Sequence, residues 1–120
     1  MSATLGGQRI ATLGWDQTGD SILVHVTSLP DTHPIRWATF FGEGAETQWL
    51  ADGTLMVFVR ETQESMTVYH VREPGGIQRV GTIPRRAVSV SASGDGGRIV
   101  VVTQDSREDV LRARVDRVGH

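Results

Sequence analysis

Four histidines, His25, His33, His70 and His120, are the side chains best suited to proton transfer near neutral pH or to metal ligation. No two of them stand at H-x-H or H-x-x-x-H spacing, so no metal ligand is assigned. His25 lies in a strand-like apolar run and is expected as a buried, hydrogen-bonded structural residue. His33, between Thr32 and Pro34, reads as loop. His70 follows Tyr69 on what reads as a semi-exposed strand, and a pocket role is the lesser reading. His120 is terminal. Asp16, Asp20, Asp52, Asp95, Asp105 and Asp109 contain no Asp-x-Asp calcium pattern. Asp20, Asp52 and Asp95 fall at or beside turns, where a carboxylate bonds local amides. Ser91-Ala92-Ser93-Gly94 does not supply the G-x-S-x-G of a hydrolase elbow. Gly94-Asp95-Gly96-Gly97 has neither the lysine nor the following helix of a phosphate loop, and reads as a hairpin turn. No catalytic, cofactor-binding or metal residue is assigned, and the chain is expected not to be an enzyme.

Composition narrows the chemistry further. There are no cysteines, which excludes disulfides, zinc–thiolate sites and cysteine nucleophiles. All 12 basic residues are arginine, so a Schiff-base lysine is absent too. The formal net charge is -2, which makes no electrostatic case for nucleic acid or an anionic membrane. Arg85-Arg86 is one basic cluster. Arg107, Arg112, Arg114 and Arg117 form the other, balanced by Glu108, Asp109 and Asp116, and read as a solvated strand face. The N-terminus has no basic segment leading into an apolar core, so no signal peptide is expected. Apolar runs of about five residues fall far short of a membrane helix, and no membrane insertion is expected. If complete, the chain is expected to be cytoplasmic.

The elements that would carry these residues come from a repeat. Trp15-Asp16-Gln17-Thr18-Gly19, Trp49-Leu50-Ala51-Asp52-Gly53 and Ala92-Ser93-Gly94-Asp95-Gly96 each precede an apolar run: Ile22–Val26, Leu55–Val59 and Ile99–Val102. The spacing approaches the roughly 40–45 residue period of four-stranded propeller blades. The glycines suit tight hairpins, and continuous apolarity predicts strands buried on both faces. More amphipathic strands follow at Ile35–Phe41, Met66–Arg72 and Asp109–Val115. Pro74-Gly75-Gly76 predicts a turn into a fourth strand, Ile77–Ile83, ended by Pro84. Between Phe41 and Thr47 there is no room for such a strand, so the first unit is expected to lack its fourth. The third unit has room only for a stub. Arg107–Val118 is read as strand rather than helix because of its valines. Trp15 and Trp49 are expected to pack between units. Trp37, outside the repeat, is the candidate for an exposed aromatic contact, against core packing as the more ordinary reading.

Trp49-Leu50-Ala51-Asp52-Gly53 with Met56-Val57-Phe58 resembles the W-S-P-D-G-x-x-I-A-F signature of TolB-like, WD-repeat-like β-propeller blades. Ala92–Gly96 with Ile99–Val101 is similar, and Asp109-Val110-Leu111 matches the start of the third strand. Trp15 departs from the pattern, being followed by Asp-Gln-Thr, and Ala92 stands where the aromatic would. The resemblance implies an all-β, partial β-propeller of about three antiparallel blades: residues 8–46, 47–86 and 87–116. A compact β-sandwich is the rival. Three blades do not close a ring. The chain is therefore expected to bind or scaffold, completed by self-association or by the rest of a longer propeller through its open edges. The other implied roles are the sensor portion of a bacterial Ser/Thr kinase or prolyl-oligopeptidase-type enzyme, and a self-assembling sugar-binding ring.

Overall fold

The computed structural model describes residues 3–83, 87–94, 97–103 and 108–112. Eleven strands form three antiparallel sheets, with no helix among the described residues. Sheet 1 holds β1 (Ala3–Gly6), β2 (Arg9–Trp15), β3 (Ser21–Ser28) and β4 (Ile35–Phe41), in that order. Sheet 2 holds β5 (Gly44–Trp49), β6 (Leu55–Thr62), β7 (Ser65–Val71) and β8 (Ile77–Ile83). Sheet 3 holds β9 (Ala87–Ala92), β10 (Arg98–Thr103) and β11 (Glu108–Arg112), with β10 in the middle.

The repeat turns become hairpins with Gly19 and Gly53 at positive φ, the left-handed region where a Cβ is unfavourable. Each turn is fastened by an aspartate. Asp16 Oδ1 accepts from the Thr18 hydroxyl and from the N–H groups of Asp20 and Ser21. Asp52 Oδ1 accepts from the N–H and hydroxyl of Thr54. In the first turn the fastening carboxylate is thus Asp16 rather than the expected Asp20, which contributes its backbone N–H.

Sheet 2 is the centre of the stack. Five consecutive β6 residues, Leu55–Val59, are buried. Period-two alternation splits them. Leu55, Val57 and Val59 join Ile22, Val24, Val26, Trp37 and Phe40 in one core with sheet 1. Met56 and Phe58 join Val90, Ile99 and Val101 in another with sheet 3. Of the three repeat runs, only Leu55–Val59 of β6 is buried at every position described. Along β3, Leu23 and His25 are only half-buried, and along β10 so is Val100. Among the described residues no further layer covers the outer faces of sheets 1 and 3, although their sequences are nearly as apolar as that of β6.

The first unit has no strand between β4 and β5, as the short Phe41–Thr47 segment requires. Its sheet nevertheless has four strands, because β1 pairs with β2 through a turn at Gly7 on the opposite edge. The missing fourth strand reverses the next sheet. β4 ends beside the hairpin tip of sheet 1, where Phe40 pairs with Ile22 and Ile22 with Trp15. Gly42 and Glu43 then lead straight into β5, whose first residue pairs with Arg60, at the end of sheet 2 far from its own tip. A Cβ at Gly42 would lie 2.6 Å from the Arg60 carbonyl, so the tight crossing requires glycine. Sheets 1 and 2 therefore run in opposite senses. Sheet 2 completes four strands before β9 begins, and sheets 2 and 3 run in the same sense, with the Ala51 N–H donating to the Gly94 carbonyl from tip to tip at 2.7 Å.

Candidate functional site

The histidines separate clearly. His33 is exposed in a loop, 3.0 Å from the Asp31 carboxylate. His25 is half-buried on the outer face of sheet 1, less enclosed than expected. His70 is 1% exposed, correcting the semi-exposed reading. β7 is covered on both faces, and a polar partner is within reach: His70 Nε2 lies 2.6 Å from the Thr54 hydroxyl. That hydroxyl is itself 2.5 Å from Asp52 Oδ1. The result is a chain of carboxylate, hydroxyl and imidazole. Its polarity is opposite to that of an activated nucleophile. The single hydroxyl proton goes to Asp52, so the oxygen accepts from an Nε2–H imidazole rather than surrendering a proton to it. The chain ties the β5–β6 turn to β7. The pKa of Asp52 is lowered: burial, the largest single influence, pushes it up, but the Thr54 hydrogen bonds and the nearby His70 together prevail.

The tryptophans also rearrange the expectation. Trp37 is 7% exposed and packs edge-on against Trp49, with ring centroids 5.9 Å apart, so it is a core residue and not an exposed contact. Arg9 lies over both rings, 5.5 Å from the Trp37 centroid and 4.7 Å from that of Trp49, and donates to the Gly53 carbonyl. Trp15 does not play the part of Trp49. In sheet 1 the strand pairing is offset by one residue relative to the sequence repeat: Trp15 pairs with Ile22, whereas Trp49 pairs with Leu55. Trp15 stays 41% exposed.

Sheet 3 is joined to sheet 2 differently. Gln48 donates through Nε2 to the Ala92 carbonyl and accepts at Oε1 from the Ala92 N–H at 2.8 Å. This places the Ser91-Ala92-Ser93-Gly94 segment in a strand end and turn, with the Ser93 hydroxyl accepting from the Arg98 N–H. Arg85, Arg86, Asp95, Asp105, Arg107, Arg114, Arg117 and His120 lie outside the described residues, as do the side chains of Asp109 and Arg112. No group of three or more histidine, aspartate or glutamate residues suited to a metal occurs among the described residues.

A shallow cleft of about 420 Å³ opens on the outer face of sheet 1, lined by Asp16, Gln17, Thr18, Ser21, Leu23, Arg36 and Thr39. The Asp16 turn forms one wall, and β3 and β4 supply the rest. Arg36 reaches this face because a bulge between Val24 and His25 shifts the β4 register. The pKa of Asp16 is lowered: desolvation, the largest single influence, acts upward, but the hydrogen bonds from Thr18, Ser21, Asp20 and Gly19 outweigh it. Neither Asp16 nor Arg36 forms an ion pair with the other or with any described residue. Sequence reading did not find this cleft. The register-shifting bulge that brings Arg36 beside the Asp16 turn leaves no spacing signature. No family model, curated protein or solved structure matches the chain.

Proposed function

We propose that the chain is a non-catalytic binding or scaffolding module of TolB-like propeller repeats, and that it works through the outer face of sheet 3. The supporting observation is the same-sense stacking of sheets 2 and 3, tip to tip through Ala51 and Gly94. A further sheet added in that sense meets the outer face of sheet 3, where half-buried Val100 pairs with Val110 in register. The occupant is a second copy of the chain or the next part of a longer propeller. Sheet 1 is the other terminus. Its reversed sense and a face bearing Thr12, His25, Thr27 and Thr39 suit it to end a stack rather than extend one. The reading carries no role for acid–base catalysis: among the described residues, the Thr54–His70 pair has the wrong polarity for a nucleophile. Light scattering on the purified chain tests it. The expected result is a concentration-dependent oligomer that Val100→Asp converts to a folded monomer. A stable monomer of unaltered chain, with melting independent of concentration, overturns it.

A further inference from the structure

We propose that the cleft on the outer face of sheet 1 binds a zwitterionic ligand of amino-acid size, its ammonium group on Asp16 and its carboxylate on Arg36. The cleft holds one anion and one cation, neither paired with the other nor with any described residue. An anionic ligand drawn to Arg36 would meet the Asp16 carboxylate, and a cationic one would meet the guanidinium. A ligand carrying both charges, as an α-amino acid does on its α-carbon, satisfies both through charge-assisted hydrogen bonds stronger than neutral ones. The bonds from Thr18, Asp20 and Ser21 all end on Oδ1 of Asp16, and the ammonium is assigned to Oδ2. Arg36 is exposed, so its fork is accessible.

The remaining lining fits the same class. The hydroxyls of Thr18, Ser21 and Thr39 surround the charged pair, and Ser21 is itself only 8% exposed. Half-buried Leu23 gives the cleft an apolar floor. Phe41, outside the lining, pairs with Ser21 in register and is 71% exposed. The Leu23 floor suits an apolar ligand side chain, branched or aromatic. The proposal is independent of the association assigned to sheet 3, which uses the opposite end of the stack.

Trp15 adjoins Asp16 and is partly exposed, so its fluorescence reports occupancy during titration with L-leucine and L-phenylalanine, with calorimetry as the second readout. Saturable binding of at least one of them is expected. Arg36→Gln should weaken it by about tenfold or more with an unchanged melting curve, because loss of a charged hydrogen bond carries that factor. N-acetyl-L-leucinamide, which lacks both charges, should not bind. Failure of both amino acids to saturate overturns the proposal. So does equal binding of the blocked amide or of glucose, or an Arg36→Gln affinity within twofold of the original. Oligomer mass, measured in parallel, keeps this result separate from that for sheet 3.

Discussion

The two junctions of this molecule join the same central sheet in opposite orientations, sheet 1 reversed and sheet 3 in the same sense. Between sheets 1 and 2 the fastening combines side chain and backbone: the Arg9 guanidinium lies over Trp37 and Trp49 and bonds to Gly53, the Gly75 N–H donates to the Trp37 carbonyl at 3.0 Å, and the Glu43 N–H donates to the Arg60 carbonyl at 2.7 Å. Between sheets 2 and 3 it is made by the Ala51–Gly94 backbone bond and by the Gln48 side chain, which closes on both polar groups of Ala92. The difference follows from strand count. Where a unit delivers four strands, the next hairpin tip arrives beside the previous one, as the Ala51–Gly94 bond shows. Where β4 passes directly to β5, the tip of sheet 2 meets the far end of sheet 1, where Arg9 reaches Gly53 and the Gly75 N–H reaches the Trp37 carbonyl. A repeat in sequence is therefore a repeat in space only where the strand number is kept.

The most severe way to break this comparison is Phe58→Ala. Phe58 is buried against sheet 3, and its truncation should cost about 3–5 kcal/mol. That is a large part of the roughly 5–15 kcal/mol that holds a domain together. Hydrogen exchange should show β9 and β10 losing protection well before β2 and β3. Equal loss in all three sheets would mean that the junctions unfold as one unit.

Arg9→Met is the next test. It keeps much of the aliphatic stem over the tryptophans but removes the guanidinium from both rings and leaves the Gly53 carbonyl without its donor. A loss of about 2 kcal/mol in denaturant unfolding is expected. Gly53→Ala acts on the same seat from the other side, because Gly53 has φ 84° and its added Cβ would lie 2.8 Å from Arg9 Nη2. The two losses should be less than additive, since either one disrupts the same contact. Full additivity would detach Arg9 from the turn.

These contrasts mark the limits of what the chain discloses before it folds. The Ile35–Phe41 and Ile77–Ile83 strands and the turn glycines are legible, because alternation, proline and glycine act locally. β1 leaves a fainter trace, a Gly6-Gly7 pair between two short runs. The reversal of sheet 1 is implicit in the missing strand, but becomes visible only when strand direction is followed from tip to tip. His70 looked half-exposed because its neighbours alternate. Its burial depends on Thr54, a turn residue that offers it a hydrogen bond. The cleft depends on Arg36, whose neighbours in sequence say nothing of Asp16. What is local was readable, and what depends on register and on the partner sheet was not.

Gln48→Ala sharpens the comparison at the second junction. It strips both hydrogen bonds from Ala92 and should cost about 1–2 kcal/mol. Its effect should be confined to sheet 3: faster exchange at β9 and β10, with the tryptophan environment of the first junction unchanged in near-ultraviolet circular dichroism. A change in the Trp37–Trp49 signal would show that the two junctions communicate through sheet 2.

The smallest effect is expected from acid. Asp52 has a folded-state pKa below its ordinary 3.8, so in the acid range the folded chain binds fewer protons at this site than the unfolded chain does. Its contribution to stability is complete above that ordinary value and is lost as pH falls through the lower folded-state value. The melting temperature should therefore rise with pH up to about pH 5 and then level. Asp16 is shifted in the same direction, so both hairpins contribute to the slope. The turns differ in what lies behind them. Asp52 is linked through Thr54 to buried His70, whereas Asp16 closes a turn on an open face. Asp52→Asn should flatten part of the acid slope and also loosen the Thr54–His70 pair, detectable as faster exchange in β7. Asp16→Asn should flatten its share without touching β7. Parallel melting curves for Asp52→Asn and the unaltered chain from pH 2 to 6 would remove Asp52 as a source of the slope.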